Sequence, residues 1–345
     1  MSTNELLPVD RPSATWSPLR LLTGPVLGLI AVLAVFSILL GVRGEEGALG
    51  SFASLSNVQI LVYSNTHLAV LALGMLLIMI SGGIDLSVGS VVALVTVTTM
   101  YMFKTAYAWN SSVMMASFMA IAAGLGTGAA CGLINGLIIT RLRVAPFVAT
   151  LGMLSIARGL AQWIAESRPM PFPRGTRPGW VSSLADTYPK NGLFNPGFWS
   201  LVILAFLVAM LLRRTILGRY CYAVGSNEAT ARLCGVGIDR TKVTLYMLAG
   251  LLSGWAGILL FAQIDGGNPT VAVGLELDVI AAVVIGGASL AGGVGTVSGT
   301  LIGVLILGIL VNGVNRFHVP IQMQYILIGV IIIANTALSR WRQKA

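Results

Sequence analysis

The stretch Ile80 to Val95, ISGGIDLSVGSVVALV, sets one carboxylate, Asp85, inside an apolar region that runs from about Leu68 to Phe103. A charge at the centre of a membrane helix costs about 2.5–3.5 kcal/mol on insertion scales, so the residues beside it must account for its presence. They are Ser81, Ser87 and Ser90 with Gly82, Gly83 and Gly89. Glycines release the backbone from the helix, and a carboxylate or hydroxyl at a helix start accepts from the N–H groups exposed there. The segment therefore reads as two helices with a polar joint, and Asp85 sits at the joint. Two roles are open to it: capping the following helix, or contact with a solute or a gate.

Other polar residues fall within apolar runs: Asn135, Thr150, Ser155, Arg158, Gln162, Asn312 and Asn315. Such groups face a protein interior or a cavity, where they either bond across helices or line a path. Arg158 and Gln162 are one turn apart and share a helix face. The stretch AQIDGGNPTVAVGLELDVIAAVVIGG adds Asp265, Asn268, Glu276 and Asp278. Glu276 and Asp278 open an apolar run, where acids favour a helix N-terminus. Contact with a solute or an outer partner is the alternative.

Catalytic and metal chemistry find little to build on. His67 and His318 lack a second ligand-type residue at metal spacing, and His67 reads as a hydrogen-bonding group between helices. Cys131, Cys221 and Cys234 are too few and scattered for a disulfide framework or a zinc site, so they read as packing. No GxSxG, HExxH, Walker A or CxxC motif occurs, and an intramembrane enzyme using Asp85 would lack a second catalytic group. Energy for any driven process must come from elsewhere.

The elements that hold these residues follow from composition. Of 345 residues, 56% are hydrophobic and 10% charged, against about 25% charged in soluble domains. With a mean hydropathy of +0.88 this is an integral membrane protein. Runs near the roughly 20 residues that cross a bilayer as helix lie at 21–42, 57–81, 84–103, 112–140, 145–165, 196–212, 243–264, 276–291, 296–314 and 320–338. The expectation is an all-α polytopic membrane protein with about ten transmembrane helices, some broken or re-entrant. A single domain over 21–338 is flanked by tails at 1–20 and 339–345. Around Gln59 to Gly89 a short pair of helices could replace one long one. The net charge of +9 sits mainly in a few loops, which speaks for orientation and not for nucleic acid. Placing both termini in the cytoplasm puts thirteen of the 21 lysines and arginines inside.

Two polar excursions stand out. The outer one, 166–195, contains PMPFPRGTRPGW and reads as an extended or capped loop with little regular structure. The inner one, 213–242, offers a helix start at Ser226 or Asn227 before Glu228 and Ala229, and a stop at Gly235. Glycines recur every four residues at Gly124, Gly128, Gly132 and Gly136, and at Gly295, Gly299 and Gly303. That spacing gives a helix face with no side chains, on which another backbone can approach closely. A weak internal echo links Gly82–Leu86, GGIDL, with Gly286–Leu290, GGASL, suggesting a repeated broken-helix element of the kind that marks transport pathways.

Four motifs in order, ISGGIDLSVGSVVAL, GLINGLIITRLRVAPFVATLGMLSIARGLA, AVGSNEATARLCGVGIDRTKV and LELDVIAAVVIGGASLAGGVGTVSGTLIGVLILGILVNG, resemble the membrane permease subunit of bacterial ABC importers for monosaccharides, the ribose-type group. The resemblance covers roughly Asn57 to Leu338. It implies a bacterial inner-membrane importer for a sugar such as ribose, xylose or galactose. The assembly would hold two permease copies, a cytoplasmic ATPase carrying ATP and magnesium, and a periplasmic or extracellular sugar-binding protein, with lipid around it and no cofactor in this chain. A polyol, nucleoside or signalling molecule is the alternative cargo. Coupling to the ATPase would fall on Ser226, Asn227, Glu228, Ala229, Arg232, Gly235, Asp239 and Arg240. This stretch only loosely matches the EAA loop of other importer permeases, having Thr230 in third place. A path or gate would draw on Asp85, Ser87, Ser90, Asn135, Thr150, Arg158, Gln162 and Asn312. The binding protein would dock on Arg168, Arg174, Arg177, Asp265 and Asn268, with Lys190 adding to the basic outer loop. Phe147, Trp163, Trp255 and Phe261 could stack on a sugar ring or serve as packing.

Overall fold

The computed structural model describes residues 18–42, 54–109, 112–189 and 192–317, with positions 50, 52, 320, 322, 323, 326 and 329. Most of both tails, Lys190, His318 and nearly all of the span expected at 320–338 lie outside the described residues. The helices in chain order are α1 (Pro18–Val42), α2 (Leu55–Ile80), α3 (Val88–Ala108), α4 (Val113–Arg141), α5 (Pro146–Ile164), α6 (Gly179–Ala185), α7 (Pro196–Arg214), α8 (Ile216–Ser226), α9 (Glu228–Leu233), α10 (Ile238–Gln263), α11 (Leu275–Ile285) and α12 (Val297–Arg316). Two-residue strands β1 (Met170–Pro171) and β2 (Gly266–Gly267) pair antiparallel, with Met170 opposite Gly267.

Among the described residues seven helices are long and apolar enough to cross a membrane: α2, α3, α4, α5, α7, α10 and α12. A shorter apolar stretch, Gly24–Leu39, lies in α1. The span expected at 276–291 is corrected. The helix there, α11, has 11 residues, about 16 Å at 1.5 Å per residue, which is half of a bilayer core. The glycines at 286 and 287 end it early. Over 59–89 the single long helix prevails: α2 runs unbroken for 26 residues and stops just before the joint.

Loop residues with short polar side chains start six of these helices. Ser54, Ser112, Asn195, Thr215, Asn227 and Thr296 each accept from a backbone N–H in the first turn of α2, α4, α7, α8, α9 and α12. Pro146 and Pro196 occupy the first position of α5 and α7, where no N–H is needed.

The core is built on α2, which is buried continuously from Leu68 to Ile80, and on α10 beside it. The glycine face of α4 packs directly on α10. A β-carbon placed on Gly128 would stand 2.6 Å from the Gly254 nitrogen, one on Gly136 2.8 Å from the Val243 Cα, and one on Gly250 2.8 Å from the Gly132 Cα. Backbone meets backbone along this seam, as the spacing of four requires. Gly124 extends it toward Thr99 and Ile258. The second glycine series is only partly helical. Gly299 and Gly303 of α12 meet Gly286 and Ala282 of α11, while Gly295 precedes the helix and faces Leu76 and Ile80. The peripheral α7 turns Ile203, Phe206, Leu207 and Met210 outward.

Candidate functional site

Helix α2 ends in a Schellman turn. Gly82 takes φ +81°, its N–H bonds Met79 O and the Gly83 N–H bonds Ile78 O, each at 3.0 Å. Helix α11 ends the same way, with Gly287 at φ +90°, its N–H on Val284 O at 2.9 Å and the Ala288 N–H on Val283 O at 3.1 Å. The echo in the sequence is therefore a repeated helix stop. The left-handed residues Gly82 and Gly287 stand one residue out of the register in which the two strings look alike.

Between α2 and α3 the chain is held by Asp85, which is 5% exposed. Its Oδ1 accepts from the Ser87 N–H at 2.8 Å and from the Ser87 hydroxyl at 2.6 Å. The Ser87 proton is thereby used, so Asn135 of α4 presents its amide NH2 to the Ser87 oxygen at 3.1 Å. Thr150 of α5 approaches Ile84 O at 3.4 Å, and Ser90 is buried in the first turn of α3. Tyr246 of α10 closes the group: a β-carbon on Gly83 would lie 2.5 Å from its hydroxyl oxygen. Both the Tyr246 hydroxyl and Asn135 Oδ1 are buried without a partner. Buried polar atoms are seldom left so, and this joint holds unspent hydrogen-bonding capacity. Sequence reasoning passed over Tyr246, which sits in an ordinary apolar run.

The two joints meet at α8. A β-carbon on Gly225 would collide with Ile80 O and stand 2.6 Å from the Gly293 nitrogen, and one on Gly292 would be 2.7 Å from Gly225 O and 3.0 Å from the Gly82 Cα. The Gly293 N–H donates to Ile80 O at 2.8 Å, and the Tyr222 hydroxyl to Gly295 O at 2.8 Å. Helix α8 itself lies in a stretch read as loop. Its amphipathic face buries Gly218, Cys221 and Val224.

Directly after Gly225 and Ser226 comes α9, bounded as expected by Asn227, whose Oδ1 accepts from the Thr230 N–H at 2.9 Å, and by Gly235 at φ +81°. Glu228 bonds Lys242 at 2.6 Å and Arg232 at 3.4 Å. The Lys242 ammonium holds the Glu228 carboxyl below the usual carboxylate range. Arg143 pairs with Asp239 through both guanidinium nitrogens at 3.3 Å, tying the link before α5 to the start of α10. Ser226, Ala229, Arg232 and Arg240 are exposed, and Leu233 is 89% exposed. Only the small Ala231 faces inward, against Val224 and Ile238. Leu233 is a surface leucine on a short helix that sequence reasoning passed over.

The segment between β2 and α11 descends along α3. The Asn268 N–H donates to Thr96 Oγ1 at 3.1 Å, and Arg158 of α5 donates through one nitrogen to Pro269 O and Val271 O, both at 2.8 Å. Ala272 O and the Glu276 carboxylate press on Gly89, which has no side chain to resist them. Arg158 thus clamps a re-entrant strand of backbone, a use of a membrane arginine that satisfies otherwise orphaned carbonyls. Ala272 at φ +61° and Gly274 at φ +82° turn the chain into α11.

Two expected path residues lie away from the joint. Asn312 donates to Asn57 Oδ1 at 3.1 Å, and Arg316 reaches the same atom at 2.9 Å, so Asn312 ties α12 to the start of α2, far along the helices from the Asp85 joint. Gln162 is exposed on α5 and does not join Arg158 on the clamp. Asn268 is half-buried; its side chain accepts from the Thr270 N–H at 2.9 Å and its backbone N–H donates to Thr96, within the segment between β2 and α11. The loop 166–195 is also more ordered than its prolines suggested, carrying β1 and α6. Arg168 and Arg174 are exposed there, while Arg177 pairs with Asp265 at 2.8 Å and spends its charge on the loop's own docking.

Residues 57–336 match the family described as branched-chain amino acid transport system / permease component. Ribose import permease protein RbsC of Escherichia coli K12 is 36% identical over 298 residues, 85% of this chain and 88% of its own. L-arabinose transport system permease protein AraH of the same strain is 35% identical over 296 residues, 86% of each chain. Fructose import permease protein FrcC of Rhizobium meliloti is 31% identical over 325 residues, 93% of this chain and 85% of its own. No solved structure matches the chain significantly. Family match, relatives aligned over most of both lengths, and a bundle with paired broken helices agree that this chain belongs to that permease family, with the ribose-type import permeases.

Proposed function

We propose that this chain is the inner-membrane permease subunit of an ATP-driven importer and forms, with a second copy, the path of a monosaccharide handed over by a binding protein. The observation that carries the cargo class is that relatives named for ribose, L-arabinose and fructose import align with the chain over 85% or more of its length. ATP hydrolysis belongs to a separate cytoplasmic subunit, with which α9 makes contact. Support comes from its outward Leu233, Arg232 and Ala229 and from the ion pairs that fix Glu228.

Mechanically, α9 follows α8 directly across the single extended residue Asn227, and α8 touches both joints at once through Gly225. A tilt of α9 driven by closure of the ATPase moves Gly225, and with no side chain in between the displacement passes to the helix stop at Gly82 and to the loop at Gly292 and Gly293 that follows the end of α11. These are the places where the helices are already broken, so movement there sacrifices few hydrogen bonds. Asp85 holds the first joint by its turn on Ser87, and recognition of the sugar rests mainly with the binding protein.

The test is uptake into proteoliposomes holding this chain with its ATPase, with the binding protein supplied outside and loaded in turn with pentoses and hexoses. ATP-dependent accumulation of one sugar is the expected result. A complex that hydrolyses ATP and takes up none of them would move the cargo to another solute class, such as a polyol or nucleoside.

A further inference from the structure

A cavity of about 230 Å³ lies between α2, α11 and α12, away from the Asp85 joint, and is lined by Ser64, Asn65, His67, Asp278, Leu307 and Val311. Ser64 to His67 stand nine to twelve residues into α2. At 1.5 Å per residue that is roughly 14–18 Å from its start, near the middle of a bilayer core of about 30 Å. Asp278 is in the first turn of α11, a half-helix whose N-terminal end opens at the same depth. Polar groups at that depth are costly unless they face one another or water. Here His67 Nδ1 is buried with no hydrogen-bond partner, and Asn65, also on the lining, uses its amide NH2 on Leu61 O at 2.8 Å. The lining thus offers the Asp278 carboxylate and the Asn65 amide oxygen as acceptors, with one unpartnered imidazole nitrogen beside them. Leu307 and Val311 supply an apolar wall opposite.

We infer that this cavity is a mid-membrane resting site for one sugar ring in transit, its hydroxyls donating to Asp278, His67 and Asn65 and its C–H face lying on Leu307 and Val311. The inference rests on the importer reading. An acceptor-rich, half-apolar cavity suits a neutral donor-rich ring. Ser64, exposed at its mouth, is the natural point at which to probe it.

The experiment uses the assembled complex in proteoliposomes. Ser64→Cys is made in a Cys234→Ser background, since Cys131 and Cys221 are buried, and treated with a membrane-impermeant maleimide. Labelling is expected, slowed several-fold by millimolar transported sugar and unchanged by sodium chloride of equal osmolality. Ser64→Trp is expected to cut ATP-driven uptake at least ten-fold and Asp278→Asn several-fold, while Val202→Phe, in the apolar groove between α2, α7 and α12, transports as wild type does. Labelling that sugar does not slow, protection by salt alone, no labelling at all, or full transport by Asp278→Asn would each overturn the site. Wild type that takes up no sugar would instead overturn the importer reading, and the two failures are told apart by that arm.

Discussion

Alanine at Gly128 would put a methyl group into the backbone of α10. Its carbon would lie 2.6 Å from the Gly254 nitrogen and 2.7 Å from the Gly254 Cα, and would also touch the Gly250 carbonyl. None of these is the far end of a flexible side chain, so α4 and α10 must separate by several tenths of an ångström. The neighbouring contact, where a β-carbon on Gly132 would stand 2.9 Å from the Gly250 Cα, shows that the helices have no slack one turn away. Overpacking of this kind costs about 1–3 kcal/mol, against about 0.5–1 kcal/mol regained because alanine favours the helix. Net destabilisation of roughly 1–2 kcal/mol follows. Gly126, two residues earlier on the same helix, is exposed with no atom within 4 Å of an added β-carbon. The identical change there meets no wall and should stabilise by about 0.5–1 kcal/mol. Thermal unfolding of the two purified variants beside wild type reads the sign directly, the scale in soluble domains of about 150–250 residues being about 2–4 °C per kcal/mol. Shifts of the same sign and size for both variants would refute the close α4–α10 seam.

Three further outcomes follow. Asp85→Asn keeps an acceptor for the Ser87 N–H and should assemble and transport within a few-fold of wild type, whereas Asp85→Ala loses the turn and about 1 kcal/mol of stability; abolished uptake in a well-assembled Asp85→Asn complex would instead favour a direct role of the charge in the path or gate. Tyr222→Phe leaves Gly295 O without its donor and should lower the unfolding temperature by the equivalent of about 0.5–1.5 kcal/mol, while an unchanged melt would remove the tie between α8 and α12. Because Glu228 titrates below its usual value on account of Lys242, its ion pair stabilises fully above the unfolded-state value of about 4.3 and fades as pH falls through the lower folded-state value. The melting difference between wild type and Glu228→Gln, no more than about 1 kcal/mol for so exposed a pair, should be constant at neutral pH and close in acid; a difference that grows in acid would contradict it.

How far the sequence could be read depended on whether a signal was local. The Asp85 joint was legible because serines and glycines crowd round a carboxylate within a few residues, and the α4–α10 seam because four glycines keep one period. The bounds of α9 were equally local, a capping asparagine and a stopping glycine. What escaped was set by partners far along the chain. Tyr246 looks like one more apolar residue until α10 lays it against Gly83, and Asn312 looks like a path residue until Asn57, 255 positions away, takes its amide. The half-length of α11 was hidden because the apolar run continues past Ile285, and only the left-handed turn at Gly287 ends the helix. Gly225 had no period to mark it, yet it is where α8 meets both the end of α2 and the loop that follows α11. A glycine that matters for close approach between three segments distant in sequence leaves no periodic trace in any one of them, so this contact could emerge only from the fold.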